Sequence, residues 1–208
     1  MNAKASEVSR RQFVLTATTI AGGLALGVGM SGQGKSQASR TTPPLLSGQY
    51  WGSDGHDPHE VNAWIIIEPD DTVTIRVSHA EMGQGSSTGL PMLVAEELEC
   101  DWTHVKHELA SPNRNAREKV YGNMFTVGSL GIRSTWNLVQ QAGASARERL
   151  VAAAAKRWGV YPESCRAAAS RVTHTPTGRS FRYGELAAEA AKIELKPEPQ
   201  IRTPAQFK

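Results

Sequence analysis

The stretch EMGQGSSTGLPMLVAEELECDW, residues 81–102, decides the fold. Gly83 and Gly85 flank a glutamine in a short loop, and the apolar residues after it recur every three or four positions, as on one face of a helix. These apolar positions are Leu90, Leu93, Val94 and Leu98. We therefore predict a glycine-containing loop that opens an amphipathic helix, with Pro91 in its first turn, where proline is tolerated.

Strand patterns lie on both sides of this segment. Residues 63–67 form an isoleucine-rich run, a Pro-Asp turn follows at 68–71, and apolar and polar residues alternate over 72–77, which is typical of a β-hairpin. Residues 105–109 alternate again and predict a further strand. The polar segment 111–119 is predicted to be a loop.

One long helix dominates the second half of the chain. Residues 134–158 predict this helix, and Gly159 suits its C-terminal cap. Residues 171–174 and 180–183 flank a Pro-Thr-Gly-Arg turn and predict a second hairpin, and a short helix is predicted over 185–193. Short hairpins with one long and two shorter helices, without strict alternation of strand and helix, predict an α+β fold.

Composition narrows the possible functions. Hydrophobic residues make up 39% of the 208 residues and charged residues 21%, which is typical of a globular protein. The net charge is +3 without one dense basic block, so we expect no nucleic-acid partner. Cys100 and Cys165 lack the spacing of a disulfide framework and are predicted to be separate core side chains.

The N-terminal segment has the pattern of an export signal. Arg10 and Arg11 stand before an uncharged stretch at 14–30, which is the twin-arginine arrangement. Ser36-Gln37-Ala38 is the candidate cleavage site. We therefore predict periplasmic localisation, with an uncleaved signal acting as a membrane anchor as the alternative.

Four segments follow from these patterns. Residues 1–38 are predicted to be the twin-arginine signal peptide and residues 39–60 a flexible leader. Residues 61–195 are predicted to form the α+β domain, and the proline-containing residues 196–208 an extended connector.

The Gly83-Gln84-Gly85 loop has a physical use at a binding site. Its glycines let the backbone approach a ligand closely, and the Gln84 amide both donates and accepts hydrogen bonds. The helix N-terminus that follows favours an anion such as phosphate. On these grounds alone, an ordinary structural turn is the alternative.

The longer motif resembles a known family. EMGQG at 81–85, LPMLVAEEL at 90–98 and Asp101-Trp102 are similar to the signature in the N-terminal part of the molybdopterin-binding (beta) subunit of isoquinoline 1-oxidoreductase. That subunit belongs with aldehyde oxidoreductases to the xanthine dehydrogenase, or molybdenum hydroxylase, family. The resemblance continues through residues 126–129 and covers nearly everything after residue 60.

The resemblance implies a cofactor, a reaction and partners. Such subunits carry molybdopterin cytosine dinucleotide and oxidise an aldehyde or an N-heterocycle with oxygen from water, and a partner subunit with [2Fe-2S] clusters removes the electrons. The other implied partners are the remainder of the molybdopterin-binding subunit and a membrane cytochrome c. Gly83, Gln84 and Gly85 are carried over as cofactor contacts, and Gly128 and Ser129 as part of a second glycine-rich segment near the cofactor.

The chain also departs from the family. Val127 and Gly131 stand where relatives usually have a glycine and a serine. The family's catalytic glutamate lies near the C-terminus of a much longer subunit, so we nominate no catalytic residue here and predict Glu96 and Glu97 on a solvated helix face. We thus expect an incomplete section of a larger molybdopterin-binding domain, enzymatic only within a larger complex.

A non-catalytic exported binding or assembly module is the alternative function. As an incomplete section, the chain is expected to leave the apolar helix faces at 90–98 and 136–154 without sufficient partners. The histidine pairs His56/His59 and His104/His107 are predicted to be surface residues rather than metal ligands, because no third ligand is suitably spaced.

Overall fold

A computed structural model describes residues 57–208. The predicted signal peptide and residues 39–56 of the predicted leader lie outside the described residues. Within residues 57–208 the fold is α+β, as predicted, with seven short strands in two sheets and four α-helices. None of the helices in this part is both long and apolar enough to cross a bilayer.

The first sheet has the strand order β1-β2-β3-β4. Its strands are β1 Glu60–Asn62, β2 Ile65–Ile67, β3 Val73–Val77 and β4 Val105–Leu109. Strands β2 and β3 pair antiparallel, which confirms the predicted hairpin, whereas β3 and β4 run parallel with Val77 opposite Leu109. Val73, Ile75 and Val77 are buried, as the alternating pattern requires.

Helix α1, Ser86–Leu98, is the crossover that joins the parallel strands β3 and β4. Leu90, Val94 and Leu98 are completely buried, which confirms the predicted apolar face. The predicted place of Pro91 was wrong, because the helix begins directly after Gly85 and Pro91 therefore lies in the second turn. There it removes one backbone hydrogen bond of the helix.

The segment predicted to be a loop at 111–119 contains a helix, α2, Pro112–Glu118. The Ser111 hydroxyl caps it by accepting a hydrogen bond from Arg114 N at 3.2 Å, and Pro112 begins it. The buried Arg114 side chain binds Glu60 and Glu118. The prediction failed because polar contacts, rather than an apolar face, hold this helix against the sheet.

Helix α3, Leu130–Trp158, packs along α1. A Cβ atom at Gly143 would lie 2.7 Å from the carbonyl oxygen of Val94, so glycine is what allows the helices to approach so closely. Leu150 and Ala154 are completely buried. The expectation that the apolar faces at 90–98 and 136–154 lack partners was wrong, because they cover each other. Gly159 ends α3 with φ 67°, as predicted.

The second sheet is antiparallel and contains β5 Cys165–Ala168, β6 Arg171–His174 and β7 Ser180–Arg182. Strands β6 and β7 confirm the second predicted hairpin, to which β5 is added. Helix α4, Tyr183–Ala190, begins and ends slightly earlier than predicted. Both cysteines are unpaired, as predicted, but they are half-buried rather than in the core.

The last residues of the chain run over α1. Arg202 N donates to Glu97 Oε1 at 2.8 Å, and Lys208 N donates to Glu96 Oε1 at 2.7 Å. The prediction that Glu97 lies on a solvated face was wrong, because this side chain is 0% exposed and also receives a hydrogen bond from Gln140 Nε2. Burial raises the pKa of Glu97, and the backbone N–H of Arg202 opposes that shift.

Candidate functional site

The glycine loop between β3 and α1 is exposed, and its backbone adopts a conformation that favours glycine. Gly83 has φ 93° and Gly85 has φ 80°, a region that side-chain-bearing residues rarely adopt. A Cβ atom at either position would meet nothing within 4 Å. The backbone conformation therefore requires these glycines, and the space beside them is open to a ligand.

The carboxylate of Glu81 accepts hydrogen bonds from several groups of this loop. Its Oε1 accepts from Gly83 N at 2.7 Å and from Gly85 N at 2.9 Å. Its Oε2 accepts from Ser87 N at 2.9 Å and from Ser87 Oγ at 3.0 Å. The N–H groups of Ser87 and Gly85 lower the pKa of Glu81 to about 2. The helix N-terminus that was expected to favour an external anion thus already holds a carboxylate of the chain itself.

The Gln84 side chain is also bonded within the loop. Its Nε2 donates to Ala80 O at 2.7 Å and to Ser86 Oγ at 2.9 Å, and its Oε1 accepts from Met82 N at 2.6 Å. The amide therefore ties the two ends of the loop together. A ligand approaching the loop meets the glycine backbone and the exposed Met82 side chain.

The second glycine-rich segment leads into α3. Gly128 has φ 59° and Ser129 has φ 56°, and both residues are exposed. Ser129 is the N-cap residue, but its side chain makes no capping hydrogen bond. A Cβ atom at Gly128 would meet nothing within 4 Å, so this segment also borders open space.

The structure brings the two segments side by side. Ala80 N donates to Thr126 Oγ1 at 3.0 Å, which joins the start of the first loop to the second segment. Behind them, Ile132 fills the space over Gly89, where a Cβ atom would lie 2.7 Å from Ile132 Cδ1. All five predicted site residues therefore stand on adjoining loops at the starts of α1 and α3. Exposed apolar side chains accompany them: Met82 at 70%, Phe125 at 75% and Val127 at 62%.

His79 is a functional candidate that sequence reasoning missed. It is 0% exposed, and its Nδ1 lies 2.9 Å from Ser78 Oγ and 3.5 Å from Thr135 Oγ1. Its Nε2 has no hydrogen-bond partner among the described residues. Burial lowers the pKa of His79 below its ordinary value of 6.5 and so favours the neutral imidazole. The sequence did contain one signal for His79: it lies at the end of a predicted strand, just before the glycine loop.

These features fit a polar cofactor better than a simple turn. Glycines at two neighbouring loops leave room for the close approach of a ligand, whereas the unpartnered Nε2 of His79 is fully buried behind them. The carboxylate of Glu81 is already solvated by hydrogen bonds within its own loop. The arrangement therefore offers an open contact surface of loop backbone.

Comparison with known proteins identifies one family and two relatives of similar sequence. Residues 9–207 match the family described as the molybdopterin cofactor-binding domain. The beta subunit of isoquinoline 1-oxidoreductase from Brevundimonas diminuta is 33% identical over 91% of this chain. A membrane-bound aldehyde dehydrogenase from Gluconacetobacter polyoxogenes, whose name includes pyrroloquinoline quinone, is 30% identical over 95% of it. The chain spans only 23% and 25% of the lengths of these two relatives.

Solved structures with partial similarity include a quinoline oxidoreductase and a carbon monoxide dehydrogenase. Quinoline 2-oxidoreductase from Pseudomonas putida 86 aligns with 60% of this chain and 15% of its own, at 20% identity and a TM-score of 0.45. A reconstituted CO dehydrogenase from Oligotropha carboxidovorans aligns with 67% of this chain and 17% of its own, at 20% identity and a TM-score of 0.43.

Proposed function

We propose, because this chain belongs to the molybdopterin cofactor-binding domain family, that it supplies one wall of the cofactor site in a molybdenum hydroxylase large subunit. The observation that carries the proposal is the pairing of the two glycine-rich segments through Ala80 and Thr126. This contact gathers Gly83, Gln84, Gly85, Gly128 and Ser129 at one place, although more than forty residues separate the two segments in sequence.

The chain's own residues would position the cofactor rather than react. Gly83 and Gly85 allow close approach of its surface, and Gln84 keeps their loop in shape. The buried His79 would act behind the loop, beside Ser78 and Thr135, rather than touch the cofactor. When bound, the cofactor supplies the molybdenum-centred transfer of oxygen and electrons. Glu97 is not placed to act as a base, because it is buried between α1, α3 and the C-terminal residues.

The finer identity of the cofactor and partners is part of this proposal. The form would be molybdopterin cytosine dinucleotide, and electrons would leave through a [2Fe-2S] subunit and then a membrane cytochrome c. The relatives' names support oxidation of an N-heterocycle or an aldehyde. The chain spans about a quarter of those relatives, so the remainder of the molybdopterin-binding subunit would be its first partner.

Export completes the proposal. The Arg10-Arg11 pattern supports twin-arginine transport to the periplasm, either with a cleaved signal or with the signal retained as an anchor. This route carries folded proteins, which suits a protein whose cofactor is inserted before export.

A non-catalytic exported binding or assembly module is the second candidate. The observation that favours it is the core: the faces of α1 and α3 cover each other, with Leu90, Leu98 and Leu150 fully buried. These apolar side chains find their partners within the chain itself, as the core of an independent module requires.

The decisive experiment is affinity purification of the C-terminally tagged chain from its native host. Mass spectrometry of the co-purifying proteins and elemental analysis for molybdenum and iron give the result. Molybdenum together with a larger pterin-binding chain and an iron–sulfur protein supports the hydroxylase proposal. A bare chain without molybdenum supports the module, and a pyrroloquinoline quinone without molybdenum contradicts both the cofactor and the reaction.

Two glycine variants make the test specific for the loop. Gly85→Ala and Gly178→Ala impose similar backbone strain, because both glycines have positive φ, 80° and 69°, and neither would meet an atom within 4 Å. We expect Gly85→Ala to lower the molybdenum content and Gly178→Ala to leave it unchanged. Equal loss in both variants would mean that stability, rather than cofactor contact, explains the effect.

A further inference from the structure

Three backbone N–H groups, two of the glycine loop and one of the first turn of α1, donate to one carboxylate. Gly83 N, Gly85 N and Ser87 N donate to the two oxygens of Glu81 at 2.7 to 2.9 Å, and the Ser87 hydroxyl adds a fourth bond at 3.0 Å. This is the set of donors that a phosphate oxygen would use at a helix N-terminus. In this chain an internal anion already satisfies it.

We infer that Glu81 is the positioning residue of the loop and that its carboxylate closes the loop to external anions. An entering phosphate would have to break charge-assisted hydrogen bonds and approach a carboxylate of like charge that is tethered to the loop, because only Met82 separates Glu81 from Gly83. The loop then presents to a ligand its glycine backbone and the apolar Met82 side chain, beside a carboxylate that is already hydrogen-bonded. The class of ligand surface that fits is uncharged.

Two further observations support this assignment. The low pKa of Glu81, about 2, means that the carboxylate is charged at any physiological pH. The Gln84 amide contributes no free donor, because Ala80 O and Ser86 Oγ take its N–H groups. The inference deepens the proposed function, on which its relevance to a molybdopterin rests, and it assigns the loop to an uncharged part of that cofactor rather than to its phosphate.

Titration of the full chain with inorganic phosphate tests the inference, because no molybdenum is needed. Amide NMR signals of Gly83, Gly85 and Ser87 report the site. In the wild type we expect slow hydrogen exchange and no phosphate-dependent shift. In Glu81→Ala we expect saturable shifts at the same amides, with at least about tenfold tighter phosphate binding, because the competing like charge is gone. Glu163→Ala, which removes an exposed glutamate in another segment, should behave as the wild type.

Two results would overturn the inference. One is a phosphate-dependent shift of these amides in the wild type, and the other is the absence of such shifts in both Glu81→Ala and Glu81→Gln. Loss of the dispersed loop signals in Glu81→Ala would show that the loop has unfolded. In that case Glu81→Gln gives the answer, because its side chain keeps one carbonyl acceptor for Gly83 and Gly85. A failure to find molybdenum in purified protein would affect the proposed function alone and leave this titration unchanged.

Discussion

Replacing Gly143 with alanine tests whether the contact between α1 and α3 sets the stability of the domain. The added methyl group would lie 2.7 Å from Val94 O and from Glu97 Cβ. Because Val94 O is a backbone atom, it cannot rotate away, and the helices must separate. Overpacking of this kind costs about 1–3 kcal/mol, whereas the higher helix propensity of alanine returns about 1 kcal/mol. We expect a net loss of up to about 2 kcal/mol, or a melting temperature lower by up to roughly 8 °C.

Gly131→Ala is the matched control in the same helix. Its methyl group would lie 3.8 Å from the His79 ring, which is ordinary contact, so the variant should be as stable as the wild type or up to about 1 kcal/mol more stable. Urea unfolding followed by circular dichroism measures both variants, and the slope should stay unchanged. If Gly143→Ala is as stable as Gly131→Ala, the close packing of the two helices does not limit stability and the reasoning is refuted.

Capping and charged side chains give the remaining predictions. Ser111→Ala removes the cap of α2 and should lower the free energy of unfolding by about 1 kcal/mol in urea titrations; no change would contradict the cap. Arg202→Ala should speed removal of the C-terminal residues by carboxypeptidase Y, because Arg202 holds the last residues on α1; unchanged removal would show that other contacts suffice. Burial raises the pKa of Glu97 in the folded state. As pH rises through that pKa, ionisation of the buried carboxyl lowers the stability of the wild type, so its urea midpoint should fall relative to that of Glu97→Gln. A difference between the two midpoints that does not change with pH would contradict this. The pKa of Glu81 is lowered from 4.5 to about 2, so its stabilisation is present above pH 4.5 and is lost as pH falls toward 2. The advantage of the wild type over Glu81→Gln should shrink over that range in acid titrations.

Local patterns predicted the elements whose apolar residues repeat regularly. The face of Leu90, Val94 and Leu98 and the alternation in β3 appear in the structure as expected. Helix α2 escaped prediction because Arg114 reaches a glutamate 54 residues away, a contact that no local period records. Strands β1 and β5 are short and lack the proline-containing turn signals that marked the two predicted hairpins.

The candidate site divides in the same way. The glycines at 83 and 85 could be selected from the sequence, because a positive-φ loop before a helix demands them. Glu81 could not be, because its role depends on how the loop folds back on its carboxylate. His79 could not be selected either, because its surroundings depend on the tertiary structure: Thr135, on helix α3, lies beside its ring.

Topology explains why the site forms where it does. Strands β3 and β4 are parallel, so their carboxyl ends lie at the same edge of the sheet, marked by the pair Val77 and Leu109. The glycine loop follows β3 at that edge and passes directly into α1, which is the usual position of ligands in crossover units. Helix α3 begins beside the same edge because Thr126 binds Ala80 and Ile132 packs over Gly89. A change in the register of β3 against β4 would therefore displace the loop and the start of α3 together, and a cofactor that touches both would lose both contacts at once.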